Sequence, residues 1–285
     1  MLRSNLHPSP VLPPMPRLCA VHYLNTLPLI WGLLAGTCSH PVELSMASPA
    51  DCAERLRKGE ADLGLVPVAE MARQRLPLLP GTCISSDGPV RSILLVSRKP
   101  WREVATLVAD VNSRTSVVLA QIVLQALFGV RVSVEAQPPS LPEMLSSADA
   151  ALLIGDAALH VDPSTLPFRV LDLGEEWQRL TGLPMVYAAW AGPAVHDAPW
   201  LEAVLVESLA HGEANLDAIV EQEAANHGVE RALASQYLSR NIRFHLGERE
   251  RAGMAEFLRR AVAMELIVPE SAEQAPSPAL EEVKL

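Results

Sequence analysis

The sequence predicts an α/β fold made of two strand-rich lobes with a cleft between them. Short apolar strand candidates alternate with helical segments, as they do in mostly parallel sheets that carry helices on their faces. The 285 residues are 49% hydrophobic, which is ample for a packed core. No apolar run reaches the roughly 20 residues that a membrane-spanning helix needs. We therefore expect a folded α/β protein that does not cross a membrane.

Seven segments are predicted as strands because they are short, apolar and bounded by turn-forming residues. They span residues 17–21, 43–46, 61–67, 93–97, 130–134, 150–154 and 185–190. The segment 150–154 is wholly apolar, which is typical of a strand buried on both faces.

Helices are predicted between these strands, where apolar residues recur at helical spacing or a start signal is present. They span residues 25–34, 49–59, 116–127, 141–146, 200–226, 229–239 and 247–265, the first including its entry loop. Pro28 fits the first turn of the first helix, and Ser48 followed by Pro49 fits the capped start of the second.

The order of these elements predicts a discontinuous first lobe. We assign residues 17–96 and 191–267 to lobe 1 and residues 97–190 to lobe 2. The proline-rich lead, residues 1–16, and the tail, residues 268–285, are predicted to be flexible. A ligand would bind between the lobes, where strand ends and helix starts converge.

Composition excludes several classes of partner. The net charge is -10 and no basic block is present, so binding to nucleic acid or an anionic membrane lacks electrostatic support. The cysteines are irregularly spaced and form no zinc motif, so we expect no metal site. The N-terminus has no apolar segment of the kind a secretory signal requires, which predicts a cytoplasmic protein.

The polar segment 110–116 is the strongest site signal from residue types alone. Its last four residues are Ser113, Arg114, Thr115 and Ser116. They precede an apolar helix, so hydroxyls, a guanidinium and free backbone N–H groups meet at one helix start, which favours a carboxylate ligand. An ordinary N-cap with a solvent-facing arginine is the alternative.

Several short strings occur in a fixed order along the chain. They are VHYLNTLPL at 21–29, DLGLVPV at 62–68, ISSDGPVRSILL at 84–95, DVNSRTS at 110–116, LIGDAAL at 153–159, DLGEEW at 172–177, TGLP at 181–184 and YLSRNI at 237–242. Together they make residues 17–267 resemble the chorismate dehydratases of the futalosine route to menaquinone. The resemblance implies the two-lobed fold of type II periplasmic binding proteins.

The same resemblance implies an activity. Such an enzyme eliminates water from chorismate to give 3-[(1-carboxyvinyl)oxy]benzoate, and aromatisation drives the reaction without a cofactor or metal. We expect a monomer or homodimer. The related 1,4-dihydroxy-6-naphthoate synthase shares the fold, but the loop at 23–29 and the Ser-Arg-Thr-Ser string favour the dehydratase. A non-catalytic solute-binding protein for a small carboxylate is the other alternative, and it usually carries an export signal.

The resemblance also implies site residues. Asn25 and Ser86 are the expected catalytic positions. The expected substrate-binding residues are Tyr23, Gly88, Arg91, Ser113, Arg114, Thr115, Ser116, Gly155, Asp156, Tyr187 and Trp190.

Each of these side chains also has a structural interpretation. Asn25 before Pro28 fits a helix N-cap, and Asp156 fits another. Residues 85–88 read as a polar turn, and Arg91 fits a surface ion pair. Tyr187 and Trp190 fit core packing as well as a cavity wall for the substrate ring.

No convincing acid–base pair emerges from the sequence. Asp156 is an anion beside a dianionic substrate, and His22 is a single histidine at a strand end. We therefore hypothesise that the enolpyruvyl carboxylate of the substrate removes the ring proton while Asn25 and Ser86 hold the reacting conformer.

Overall fold

A computed structural model describes residues 15–268 as two mixed β-sheets flanked by helices. The predicted α/β class is confirmed. The lead and the tail that we predict to be flexible lie outside the described residues, apart from Met15, Pro16 and Val268.

Eleven strands are present in this part of the chain. They are β1 (Arg17–Val21), β2 (Glu43–Ala47), β3 (Leu63–Pro67), β4 (Leu78–Ser86), β5 (Ile93–Ser97), β6 (Thr106–Asp110), β7 (Ser133–Gln137), β8 (Ala150–Ile154), β9 (Arg169–Asp172), β10 (Met185–Ala191) and β11 (Arg243–Leu246). The six-stranded sheet has the order β11-β4-β10-β3-β1-β2, and the five-stranded sheet has the order β7-β6-β8-β5-β9.

Each sheet combines parallel and antiparallel pairs. In the first sheet β1 runs parallel to β2 and β3, whereas β10 runs antiparallel to β3 and β4. In the second sheet β6 runs parallel to β7 and β8, whereas β5 runs antiparallel to β8 and β9. The parallel strands in each sheet place helix starts at one edge, and these edges face the cleft.

Helices cover the sheets and fill the space beside the cleft. They are α1 (Leu27–Ala35), α2 (Pro49–Arg57), α3 (Val68–Arg73), α4 (Thr115–Phe128), α5 (Leu141–Ser147), α6 (Gly155–Leu159), α7 (Leu173–Thr181), α8 (Ala194–Asp197), α9 (Leu201–Ala214), α10 (Leu216–Glu223), α11 (Arg231–Gln236) and α12 (Glu248–Ala263). Single turns lie at Leu24–Thr26 and Tyr237–Asn241, the first of the 3-10 type and the second of the π type.

The local signals for the early helices match the structure. Pro28 lies in the first turn of α1. Ser48 caps α2 by accepting a hydrogen bond from the backbone N–H of Asp51 at 3.1 Å. The predicted helix at 200–226 is broken, because Asn215 leaves helical geometry between α9 and α10. The strand expected at 130–134 lies three residues later, as β7.

The prediction of a polar turn at residues 85–88 is wrong for its first two residues. Ser85 and Ser86 end β4 and are buried. This strand was not predicted, because Pro80 and Gly81 are residue types that are rare in the interior of a strand. They lie where β4 bulges against β10, between the pairs Cys83 with Ala189 and Leu78 with Ala191.

The C-terminal helices pack on the first lobe. A side-chain hydroxyl of α9, that of Ser208, accepts the backbone N–H of Leu33 at 3.1 Å. A Cβ atom on Gly212 would lie 2.0 Å from the carbonyl oxygen of Pro28, so only glycine permits this approach of α9 to the start of α1. This packing holds the turn that precedes α1.

The chain crosses between the sheets earlier than the predicted boundaries. β5, which we assign largely to lobe 1, pairs in the second sheet, and β10, which we assign to lobe 2, pairs in the first. The crossings therefore lie between Ser86 and Ile93 and between Thr181 and Met185. Apolar strands carry no label for the sheet they join, so the pattern could not reveal this. We propose to divide the lobes at these crossings.

Two further features concern residues 15–268 alone. No helix there is long and apolar enough to span a bilayer. No group of three or more His, Cys, Asp or Glu side chains there is placed to hold a metal ion.

Candidate functional site

A cavity between the two lobes is the leading candidate site. Its walls come from both lobes, and the space inside that the centre of a water molecule can reach is about 70 Å³. The first lobe contributes the turn after β1, and the second contributes the start of α4 and the end of β8. Much of the wall is apolar, so the few polar side chains determine what can bind.

One end of the cavity is formed where β6 leads into α4. Thr115 and Ser116 begin the helix and line the cavity. No side chain caps this helix start. Its first backbone N–H groups therefore lack partners within the helix and carry partial positive charge. The predicted N-cap alternative is thus not observed, and an anion would meet hydroxyls and backbone donors together.

Arg114 is the one charged side chain among the described residues that line the cavity. Its Nη1 donates to the carbonyl oxygens of Val111 at 2.9 Å and Ser113 at 3.1 Å. Its Nε lies 3.8 Å from Glu70 Oε1. These contacts hold a cation at a cavity wall that contains no carboxylate, in a chain whose net charge is -10. We refer to Arg114 and the start of α4 as the cationic end.

The loop before α4 differs from the prediction in one position. Ser113 does not line the cavity, and its buried Oγ has no hydrogen-bond partner among residues 15–268. Asn112 lines the cavity instead, and its backbone N–H donates to Asp110 Oδ1 at 2.9 Å. Burial raises the pKa of Asp110. Thr115 ties this loop to the first lobe, because its Oγ1 accepts the backbone N–H of Ala69 at 3.1 Å.

Asn25 contributes an uncharged polar group to the cavity wall. It lies in the turn Leu24–Thr26, and its Nδ2 donates to Tyr237 Oη at 2.8 Å. Tyr237 Oη in turn donates to Ser92 Oγ at 2.8 Å. Asn25 Oδ1 is buried and finds no partner in the described part of the chain. The N-cap alternative for Asn25 is wrong, because Thr26 occupies that position of α1. We refer to Asn25, Tyr237 and Ser92 as the amide end.

Tyr23 and Gly155, two of the expected binding residues, meet at the junction of the lobes, and both line the cavity. A Cβ on Gly155 would lie 2.9 Å from the Tyr23 ring, and Gly155 has φ of +58°, so glycine is required on both counts. Burial, together with the nearby Asp110 and Asp156, raises the pKa of the Tyr23 phenol. It therefore stays protonated at neutral pH.

Asp156 does not line the cavity, and it does not cap α6. Its Oδ1 accepts the backbone N–H of Leu24 at 3.2 Å, and its Oδ2 lies 2.7 Å from His227 Nδ1. The carboxylate raises the pKa of His227. Asp156 thus links the second lobe to the turn that carries Asn25. His22, the other titratable candidate, is exposed, and its Nδ1 lies 2.7 Å from the carbonyl oxygen of Ala47.

Ser86 does not reach the cavity. It is buried, with its Oγ 2.8 Å from Tyr187 Oη and donating to the Gly88 carbonyl at 3.1 Å. Tyr187 does line the cavity, so Ser86 and Gly88 support a wall residue instead of facing the ligand. Trp190 lies in the core of the first lobe, which agrees with the packing interpretation.

Arg91 is also placed away from the cavity. Its guanidinium donates to the carbonyl oxygens of Ala158 at 3.0 Å and Val161 at 2.5 Å, at the end of α6. Asp172 accepts its backbone N–H at 2.6 Å. The guanidinium thus binds carbonyl groups outside the cavity, and it forms no ion pair within residues 15–268.

The sequence of this chain is similar to that of a known family. A family model described as menaquinone biosynthesis matches residues 16–263. The chain belongs to the menaquinone biosynthesis family. A relative in this family from Thermus thermophilus, named chorismate dehydratase, is 32% identical over 229 residues, which cover 74% of this chain and 83% of the relative.

Solved structures confirm the fold of this family member. A protein of Archaeoglobus fulgidus is similar with a TM-score of 0.71 at 14% identity, covering 89% of this chain and 98% of the other. The periplasmic aliphatic sulphonate binding protein of Escherichia coli is similar with a TM-score of 0.63 at 13% identity, covering 96% and 95%. The predicted periplasmic-binding-protein-like architecture is confirmed.

Four polar residues at the site were not expected from the sequence. Asn112, Thr26 and Ser92 line the cavity, and Tyr237 holds the Asn25 amide. Ser92 and Tyr237 lie within strings that carry the family resemblance, yet both are uncharged and Tyr237 is far from Asn25 in sequence. Only the fold brings them to Asn25.

Proposed function

We propose that the protein eliminates water from chorismate to give 3-[(1-carboxyvinyl)oxy]benzoate. One observation carries the proposal: a single, largely apolar cavity joins the cationic end at Arg114 to the uncharged amide end at Asn25. A ligand that fits has both an anionic group and a neutral polar group. The name of the Thermus thermophilus relative supports the same reaction.

One carboxylate, the ring hydroxyl and the ring of the proposed substrate each have a matching group in the cavity wall. A carboxylate would accept hydrogen bonds from Arg114, the Thr115 and Ser116 hydroxyls and the N–H groups at the start of α4. The ring hydroxyl would lie at Asn25. The Tyr187 ring and Ile84 would contact the faces of the substrate ring.

The proton of the reaction is assigned to the substrate. The described lining residues include no histidine, aspartate or glutamate, and the Tyr23 phenol stays protonated. We therefore assign removal of the ring proton to the enolpyruvyl carboxylate. The C–H electron pair forms the ring double bond, the adjacent C–O bond breaks, and the proton leaves with the hydroxyl oxygen as water. Aromatisation supplies the driving force, so no electron acceptor is needed.

Ser86 acts in this proposal through Tyr187. Its hydroxyl donates to the Gly88 carbonyl and contacts the phenol of Tyr187, and the Tyr187 ring held in this way keeps a flat wall beside the substrate ring. Ser86 is therefore a positioning residue, whereas Asn25 is the catalytic residue that contacts substrate.

Incubating the purified protein with chorismate tests the proposal. Mass and ultraviolet spectra should show loss of one water to an aromatic enol ether. Asn25→Ala should abolish this product, and the exposed, matched Asn226→Ala should not. Binding of chorismate without turnover would contradict the enzyme proposal and favour a carboxylate-binding protein. No response to chorismate would favour another acid, including the substrate of 1,4-dihydroxy-6-naphthoate synthase.

A substrate analogue tests the proton assignment separately. If the enolpyruvyl carboxylate is the base, an analogue in which that carboxylate is replaced by an amide should bind but not eliminate water. Full activity with this analogue in the same pose would overturn the assignment. We also propose that the protein acts in the futalosine route, in the cytoplasm, as a monomer or homodimer.

A further inference from the structure

The amide of Asn25 has a fixed orientation in the structure. Its Nδ2 donates to Tyr237 Oη at 2.8 Å, so its Oδ1 is the atom that stays without a partner among residues 15–268. Tyr237 cannot simultaneously donate to Asn25, because its own O–H is given to Ser92 Oγ at 2.8 Å. The chain of bonds therefore runs in one direction, from Asn25 through Tyr237 to Ser92.

The surroundings make this direction stable. Tyr237 is fully buried, and burial raises the pKa of its phenol, with Asp156 adding to the effect. The phenol therefore remains a proton donor across the neutral range. Ser92 is also buried, at the crossing from β4 to β5. Three parts of the chain that are distant in sequence thus determine the orientation of the Asn25 side-chain amide.

Rotation of the amide by 180° would be unfavourable. After rotation Tyr237 could donate to Oδ1 only by giving up its hydrogen bond to Ser92, and Nδ2 would lose its acceptor, so one hydrogen bond would replace the two observed. The observed orientation leaves one buried acceptor unpaired, and an unpaired buried acceptor favours a ligand that donates a hydrogen bond. At neutral pH the carboxylates of the proposed substrate are acceptors. Its ring hydroxyl is a donor.

We propose that Tyr237 is a positioning residue that orients Asn25 as a hydrogen-bond acceptor, so that the amide end selects ligands with a hydroxyl group. The inference rests on the proposed function for the identity of the substrate. It also assigns a direction to the contact: the hydroxyl donates its O–H to Asn25 Oδ1. The lone pairs of the hydroxyl oxygen then remain free to receive the proton that leaves with it as water.

Binding of two unreactive probes tests the selectivity. One probe is a chorismate analogue with a saturated ring that keeps the hydroxyl, and the other is the same analogue without it. Calorimetry should show that the protein binds the hydroxylated probe about threefold to tenfold more tightly. Tyr237→Phe should reduce this ratio to near one. Tyr187→Phe removes a phenol hydroxyl that does not contact Asn25, and it should leave the ratio unchanged.

Kinetics provide a second measurement. Tyr237→Phe should lower kcat for chorismate by about 10-fold to 100-fold, because a misplaced amide no longer holds the leaving group. Its KM should change less than threefold, since the cationic end is intact. An equal decrease of kcat in Tyr237→Phe and Tyr187→Phe would contradict the positioning role. So would an increase of KM in Tyr237→Phe without a decrease of kcat.

A third measurement needs neither a Tyr237 variant nor turnover. In the wild-type protein, the Asn25 side-chain amide signal is identified by its absence in Asn25→Ala. Its protons should exchange with solvent at least tenfold more slowly than those of the exposed Asn226. Equal exchange would overturn the inference. A protein that shows slow exchange and hydroxyl selectivity but no turnover would support the inference and contradict the dehydratase proposal.

Discussion

The two ends of the cavity are built in different ways. The cationic end comes from consecutive residues, because Asn112, Arg114, Thr115 and Ser116 all lie at one strand-to-helix junction. The amide end joins Asn25 to Tyr237 and Ser92, which are 212 and 67 positions away in sequence. A site made from one local segment can be recognised from residue order, whereas a site assembled across the fold cannot.

The two ends also differ in their sensitivity to the solvent. Arg114 is partly exposed, so its attraction for an anion is screened by salt. Asn25, Tyr237 and Ser92 are buried and uncharged, so their contacts with a ligand depend on geometry. We therefore expect variants of the cationic end to change mainly affinity and variants of the amide end to change mainly turnover.

The largest expected effect is at the amide end. Asn25→Ala should lower kcat for chorismate by about 100-fold to 1,000-fold, because it removes the group that holds the leaving hydroxyl. Steady-state kinetics with the matched Asn226→Ala variant measure the difference. A kcat within threefold of wild type would remove Asn25 from the mechanism.

The next effect is at the cationic end. Arg114→Ala should weaken binding of chorismate by about 10-fold to 100-fold, the loss expected for charge-assisted hydrogen bonds. The affinity of the variant should also depend less on salt. Calorimetry at two salt concentrations checks both points, with the exposed Arg102→Ala as the control. Wild-type affinity and salt dependence in Arg114→Ala would refute the carboxylate assignment.

A smaller effect is expected where the wall of the cavity is supported from behind. Ser86→Ala should lower kcat/KM by about threefold to tenfold, because Tyr187 loses one hydrogen bond but keeps its packing. Tyr187→Phe should lose a similar amount, and the double variant should lose little more than either single variant. Fully additive losses would indicate that Ser86 contacts the substrate directly.

The smallest effect concerns pH and the link that holds the amide end to the second lobe. Asp156 raises the pKa of His227, so the charged pair stabilises the fold below the ordinary histidine pKa. This contribution is lost as pH rises through the raised value. Relative to His227→Gln, the wild type should therefore gain more stability at pH 6 than at pH 8.5.

We expect this difference to be about 1 kcal/mol or less, since both side chains keep some contact with water. Denaturant unfolding at the two pH values measures it. The exposed His196→Gln variant is the control and should show no such pH dependence. A larger advantage at pH 8.5 would contradict the assigned direction.

The sequence predicted what local patterns encode. The α/β class, the capped start of α2 and the site residues at the start of α4 follow from residues that are neighbours. The positions of the Arg91 and Ser86 side chains outside the cavity could not be predicted from neighbouring residues. An arginine satisfied by carbonyl groups of α6 has the same sequence signature as one that binds a carboxylate, and only the fold distinguishes them.

The assignment of strands to sheets was unpredictable for a related reason. β5 and β10 are buried apolar strands, and their patterns fit either sheet equally well. β4 was missed because its proline and glycine occupy a bulge that exists only beside β10. Partners that are distant in sequence therefore determine both the topology and the amide end.

The crossings between the sheets determine how the molecule can bend. Where β4 ends and β10 begins, Ser86 pairs directly with Met185, so the two connecting segments leave the first sheet side by side. Any change in the angle between the lobes must be absorbed by rotation of backbone torsions in residues 87–92 and 182–184. Ser92 belongs to this axis as well as to the cavity wall. A ligand that contacts Ser92 would therefore touch this axis, where a small displacement would produce the largest movement of the outer edges of the lobes.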